Sequence, residues 1–211
     1  MNVVVIAPHP DDEAIGCGGA MCLHVDRGDR VVTAFLTSGE RGIKDLDREA
    51  AWRIREAEAA AAAAILGAAG VVFLRQPDYA LADRVDEAAA ALAAVLSRER
   101  PDLVYLPHPS EWHPDHRAAG PIAKKALQAA GSTARLRLYE VWTPLAEYDD
   151  GEDITAVMAR KLRAVRAYAS QVGQLRYDRG VCGLNQYRGA LAWGCRFAEV
   201  FQTAGPAAIA G

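Results

Sequence analysis

Asn2-Val3-Val4-Val5-Ile6-Ala7, running directly into Pro8-His9-Pro10-Asp11-Asp12-Glu13, is the stretch that decides the fold. Its first half is short, β-branched and apolar at every position after Asn2, the pattern of a strand buried on both faces. Its second half stops the strand with two prolines and sets three carboxylates beside an imidazole. Such a cluster is self-repelling unless something positive sits among the groups. Two accounts are open at this point: Asp12 and Glu13 favouring the N-terminus of a helix, or a divalent cation. The helix account leaves His9, the prolines and Asp11 unexplained.

Outward from this stretch the pattern repeats. Residues 30–36, 70–74, 103–107 and 136–142 read as further short strands bounded by Gly, Pro or Asp. Residues 13–27, 46–67, 83–98 and 115–130 read as helices between them, the second carrying the alanine run 57–64 and ending at Gly67 as a C-cap. Regular alternation of strand and helix predicts a Rossmann-like α/β fold with a mostly parallel sheet flanked by helices. Ligands in such folds sit at the C-terminal ends of the strands. The turns after the first and fourth strands hold the most unusual residues in the chain.

The second of these turns ends in His113-Pro114-Asp115-His116, after Pro107-His108-Pro109-Ser110-Glu111-Trp112. Three of the five histidines fall between 108 and 116. Asp115 as an N-cap with surface histidines around it would account for this segment alone. The two turns together offer two histidines and a carboxylate from adjacent strand ends, the open three-ligand arrangement of a catalytic zinc site.

Composition bounds the partners. The chain has 211 residues, 51% hydrophobic and 24% charged, enough for one domain with its own core. A net charge of -3 gives no basic face for nucleic acid. Arg160, Lys161, Arg163 and Arg166 read as a solvated helix face. Cys17, Cys22, Cys182 and Cys195 form no C-x-x-C pair, so reduced thiols are expected, with Cys17 and Cys22 in the core. The run 3–6 is too short for a signal peptide or membrane span, so a soluble, cytoplasmic protein with no membrane partner is expected. The oligomeric state stays open, a homo-oligomer being compatible with the sequence. Gly16-Cys17-Gly18-Gly19 lacks the G-x-G-x-x-G order and lies inside a helix, so close packing explains it and a nucleotide site does not.

The segment from Ala7 to Glu13, taken with His113–His116, resembles the LmbE-like or PIG-L-like N-acetylglucosaminyl deacetylases, zinc-dependent enzymes. The resemblance runs along nearly the whole chain. It includes Thr37-Ser38-Gly39-Glu40, Arg55-x-x-Glu58 with Leu66-Gly67, and Phe73-Leu74-x-x-Pro77-Asp78. Asp153-Ile154-Thr155, Lys161-x-x-Ala164 leading to Tyr168-x-Ser170-Gln171, and Ala198-Glu199-Val200-Phe201 complete it. It implies one deacetylase domain, a Rossmann-like core over 1–135 and a C-terminal extension over 136–211 that walls the pocket. It also implies removal of an N-acetyl group from a small N-acetylglucosamine-type substrate.

Carried over residue by residue, the resemblance makes His9, Asp12 and His116 the ligands of Zn2+; Fe2+ or Co2+ suits the same donors. Asp11 is then the general base, His113 the stabiliser of the oxyanion, and Asp115 the acid that orients His113. Arg55, Asp78, Ser38 and Glu40 are expected at the substrate. For Arg55 a helix-surface pair with Glu58, and for Asp78 a plain turn, are the alternatives. His24 and His108 are expected to bind no metal, and Ser170-Gln171 to form a structural turn. The family's sugar-thiol members place a tyrosine two residues before the first histidine of the second motif. This chain has Glu111 there, followed by Trp112, which bears on the pocket rim and on substrate choice. The alternatives within and beyond the fold are hydrolysis of another amide, such as an antibiotic or thiol-conjugate intermediate, and a binding module with an inherited metal pocket.

Overall fold

A computed structural model describes residues 1–205; the end of the expected extension, 206–211, lies outside the described residues. Seven strands form one sheet in the order β3-β2-β1-β4-β5-β7-β6. They are β1 (Asn2–Ala7), β2 (Arg30–Thr37), β3 (Gly70–Gln76), β4 (Leu103–Pro107), β5 (Arg135–Tyr139), β6 (Asp150–Asp153) and β7 (Ala198–Ala204). The first five pair in parallel, and β7 lies antiparallel to both β5 and β6. The mostly parallel, helix-flanked sheet is therefore as the sequence predicts.

The helices are α1 (Asp12–Asp26), α2 (Arg48–Leu66), α3 (Val85–Glu99), α4 (Pro114–Ala129), α5 (Met158–Ala167), α6 (Ala169–Val172) and α7 (Tyr177–Arg188). Strand β1 shows why both sheet faces must be covered. Val3, Val5 and Ala7 enter one core with residues of α1, α2 and α5; Val4 and Ile6 enter the other with residues of α3 and α4. This follows from the two-residue side-chain period of a strand. From β1 the chain builds outward through β2 and β3, then crosses back to place β4 on the other side of β1. The carboxyl ends of β1 and β4 thus flank the point where the winding direction reverses, where open α/β sheets leave a crevice.

The glycines of α1 are packing devices, as expected. A Cβ on Gly16 would stand 2.2 Å from the Tyr139 ring, and one on Gly19 2.5 Å from Ile154. The C-terminal part is tied to α1 by a buried ion pair. Lys161 Nζ donates to Glu199 Oε1 (2.6 Å), Ile15 O (2.8 Å) and Asn185 Oδ1 (2.8 Å), while Glu199 accepts the Gly19 and Ala20 amides at 2.7 Å each. A buried pair is tolerable only when its remaining donors and acceptors are satisfied in this way. Lys161 is therefore buried, in contrast to the solvated face expected for the cluster containing it, because α5 turns that position inward onto Glu199. Among the described residues no helix is long and apolar enough to cross a membrane.

Candidate metal and catalytic centre

Between β1 and α1 the backbone turns at Asp11, whose φ of 128° is unusual for a residue with a side chain. Such a conformation costs of order 1–3 kcal/mol and persists where the surroundings enforce it. Here Arg55, buried on α2, donates through Nη2 to the Pro10 carbonyl and reaches Asp11 Oδ2 at 3.3 Å. The turn splits two adjacent carboxylates, with Asp11 facing Arg55 and Asp12 facing the histidines. Asp11, not Asp12, occupies the N-cap position, and it makes no side-chain capping bond.

At the other turn His113 caps α4, its Nδ1 accepting the Asp115 amide at 3.2 Å; Pro114 opens the helix. Asp115, for which a capping role is the alternative reading, sits in the first turn instead. This places His116, the third residue of α4, fully buried in the same turn and aimed back at His9.

The result is a triangle of donor atoms. His9 Nδ1 lies 3.3 Å from His116 Nε2 and 3.3 Å from Asp12 Oδ2, and His116 Nε2 lies 3.2 Å from Asp12 Oδ2. For metal–ligand bonds of about 2.0–2.1 Å, a tetrahedral face has edges of about 3.3–3.4 Å. Asp12 Oδ1 is buried with no hydrogen-bond partner. Burial opposes a charge on His9, yet the Asp115, Asp12 and Asp78 carboxylates outweigh it and raise its pKa well above the ordinary histidine value. His116 is likewise raised to about 9, with Asp12 overcoming burial. A pocket that draws protons onto imidazoles is one whose potential calls for a cation, and these donors suit a divalent one.

The Asp115 carboxylate makes its hydrogen bonds elsewhere than His113, on which it acts through its charge. Oδ2 lies 3.1 Å from His9 Nε2 and accepts the Tyr79 amide at 2.7 Å, and Oδ1 accepts the Leu81 amide at 3.1 Å. Its contact with His113 is the amide already described. Asp78 Oδ1 stands 3.2 Å from the same His9 nitrogen. Two acids thus stand behind His9 at Nε2, on the side away from the donor triangle. His9, Asp78 and Asp115 also form a cluster with metal-binding spacing, as do His9, His113 and His116. In the first cluster Asp115 is engaged by the Tyr79 and Leu81 amides and Asp78 Oδ2 by the Arg41 amide at 3.0 Å, while Asp78 Oδ1 is buried without a hydrogen-bond partner.

Glu111, expected near the pocket rim, is 1% exposed. It accepts the Val141, Trp142 and Thr143 amides at 2.7, 3.0 and 3.2 Å, and its Oε2 lies 3.5 Å from His116 Nδ1, an electrostatic contact longer than a hydrogen bond. Burial alone would raise its pKa, but His108, His116 and the Val141 amide hold it at about 2. Glu111→Ala is expected to cost about 2–4 kcal/mol of stability, because three amides lose a charged acceptor. It is also expected to weaken metal binding about 10- to 100-fold through His116. Thermal melts and a metal titration check both; unchanged affinity would confine Glu111 to holding the 141–143 loop.

A cavity of 340 Å³ opens over this centre, walled by His9, Asp11, Asp12, Arg55, Asp78 and His113 among others. Arg55 Nε and Nη1 are buried without hydrogen-bond partners, and Arg55 makes no pair with Glu58, which accepts Ser170 instead. Ser38 and Glu40 do not line this cavity. Ser38 Oγ is spent on Glu56 Oε1 (2.6 Å), and Glu40 Oε1 accepts the Asp78 amide (3.1 Å) and Arg48 (2.7 Å), so both brace loops behind the wall. Trp142, Gln171, Gln174 and Tyr177 do line it and were not singled out for this in the sequence. His24 binds Asp29 and Tyr105, and His108 binds the Thr143 carbonyl, so neither faces the centre.

The family profile described as "PIG-L: GlcNAc-PI de-N-acetylase" matches residues 4–127, which contain both turns. The chain belongs to the PIG-L family. Diacetylchitobiose deacetylase of Thermococcus kodakarensis is 36% identical over 188 residues, covering 81% of this chain and 70% of that protein. A probable N-acetyl-alpha-D-glucosaminyl L-malate deacetylase 2 of Bacillus cereus is 29% identical, covering 91% of this chain and 93% of its own. The crystal structure of a conserved protein from Thermus thermophilus superposes with a TM-score of 0.87 at 33% identity, covering 98% of this chain and 95% of that one. The likeness to these proteins thus extends over nearly the whole described fold, beyond the 4–127 segment.

Proposed function

We propose that this PIG-L chain hydrolyses the N-acetyl group of a small N-acetylglucosamine-type substrate, releasing acetate and a free amine, with a divalent cation, zinc first, held by His9, Asp12 and His116. The whole chain acts as one deacetylase unit in this reading, with residues 1–135 carrying the centre and the chain beyond 136 closing the wall. The observation that carries it is the splitting of two neighbouring carboxylates, Asp12 into the donor triangle and Asp11 into the cavity beside it. The deacetylase names of the relatives agree with this reading.

A bound cation would supply a water of lowered pKa and polarise the substrate carbonyl. Asp11 takes the proton of the attacking water and passes it to the leaving nitrogen. Burial, partly offset by Arg55, raises its pKa to about 6, near the range in which a carboxylate both accepts and returns a proton at neutral pH. Arg55 keeps the base in place through its contact with Asp11 Oδ2. His113 is lowered to about 4 by burial and by the neighbouring imidazoles, so it is neutral at pH 7. Its Nδ1 accepts an amide, so its proton rests on Nε2, ready to donate to the oxygen that becomes negative as water adds. Losing such a donor costs about 100- to 1,000-fold in rate.

The base sets the pH dependence. Asp11 acts only when ionised, so kcat/KM is expected to rise as pH increases up to about 6, the limb shifting lower as a bound cation favours the carboxylate. Acetate release measured across pH on N-acetylglucosamine checks this. An acidic limb that persists unchanged in Asp11→Asn would assign the limb, and the base, to another group.

A further inference from the structure

The peptide plane between Pro10 and Asp11 is clamped at both edges. Its carbonyl accepts Arg55 Nη2, and its amide donates to Glu13 Oε2 at 3.2 Å. With the plane held, the φ of 128° sets the direction in which the Asp11 side chain leaves the backbone. A torsion in this region persists only where the surroundings over-determine it. The aim of the base therefore depends on Glu13 as much as on Arg55.

Glu13 is itself held from the far end of the chain. Its Oε1 accepts the Tyr168 hydroxyl at 2.5 Å, and the two residues are 1% and 0% exposed. Tyr168 stands at the junction of α5 and α6 and belongs to the core that α1, α2 and α5 share. Two residues on, the Ser170 amide and hydroxyl donate to Glu58 at 2.7 Å each. Glu58 lies three residues after Arg55 on α2, where side chains are neighbours on the helix surface. One short segment thus grips both supports of the turn, Glu13 on the amide side and the helix carrying Arg55 on the carbonyl side. Capping of α1 would account for the bond from Glu13 to the Asp11 amide; it gives no part to Tyr168.

We infer that Glu13 and Tyr168 are positioning residues for Asp11, so that the C-terminal extension sets the aim of the base as well as walling the cavity. The inference rests on the deacetylase reading and adds to it how the base is held. The pair acts through the Asp11 backbone, and neither residue lines the cavity.

The test measures kcat, KM and metal content of the zinc-loaded protein and of Tyr168→Phe, using acetate release from N-acetylglucosamine and N,N'-diacetylchitobiose. Losing the hydroxyl is expected to lower kcat about 10- to 100-fold, with KM within about two-fold, because a misplacement of about 1 Å costs on this scale. The metal should stay at one per chain. Asn185→Ala is the stability control, since it removes a buried anchor to Lys161 and the Ala198 carbonyl and leaves the turn untouched. It is expected to lower the melting temperature with kcat unchanged. A folded Tyr168→Phe protein with unchanged kcat, loss of its metal, or an equal fall of kcat in Asn185→Ala would overturn the inference. Should Tyr168→Phe fail to fold, Glu13→Gln and Glu13→Asp decide. Glutamine keeps an acceptor for the Asp11 amide and a group that bonds the phenol, whereas aspartate is too short to reach both. A kcat held in the first and lowered in the second supports the inference; equal kcat in both overturns it. If the unaltered protein releases acetate from neither sugar, the deacetylase reading fails separately. A crystal structure of Tyr168→Phe, or of Glu13→Asp, then decides the positioning: an Asp11 carboxylate displaced from Arg55 supports it, and an unmoved turn overturns it.

Discussion

Asp11→Asn is expected to lower kcat by about 1,000-fold or more while the protein keeps one metal ion per chain. Asparagine is among the few residues that accept positive φ readily, so the turn at Asp11 survives the change. The amide also remains within reach of Arg55. What disappears is the ability to take the water proton and return it to the leaving amine. The donor triangle of His9, Asp12 and His116 contains no atom of Asp11, so metal content should not fall. Metal analysis beside steady-state kinetics separates the two effects. Loss of the metal along with activity would show that Asp11 and Asp12 do not divide their labour as the backbone turn suggests.

His116→Ala is expected to do the reverse, abolishing tight metal binding and turnover with it. His116 supplies one corner of the triangle and also carries the electrostatic link from Glu111 to the centre. Its removal leaves Asp12 and Glu111 as buried carboxylates with a void between them. The loss of affinity should exceed the roughly 10- to 100-fold typical of removing an outer partner such as Glu111. Equilibrium dialysis against zinc measures it, with a thermal melt to establish that the variant is folded. A folded His116→Ala protein that retains zinc with unchanged affinity would remove His116 from the ligand set.

The parallel half of the sheet was legible because strands β1 and β4 are continuous apolar runs closed by proline or glycine, a pattern few other structures share. The two turns were legible as a pair because the topology brings the ends of β1 and β4 together. The C-terminal part was less so. Strand β6 is Asp-Gly-Glu-Asp, a polar edge segment with no strand signature, and it is ordered by pairing with β7. Glu111 illustrates a second limit. An acid beside an exposed tryptophan reads as a rim residue, and only the return of the 141–143 loop shows that it is buried beneath His116. Ser38 and Glu40 show the same limit: their side chains meet Glu56, Arg48 and the Asp78 amide, partners set by loop packing that local sequence does not reveal. Trp142, Gln171 and Tyr177 reach the cavity from segments far along the chain, and local sequence carries no sign of that convergence.

The most direct test of the central claim is release of free amine from N-acetylglucosamine and N,N'-diacetylchitobiose, measured alongside metal content before and after chelation. The account predicts release from at least one of them, lost on chelation and restored by one zinc per chain. Release that survives complete removal of metal, or a protein holding one zinc per chain that releases amine from neither sugar, would contradict it.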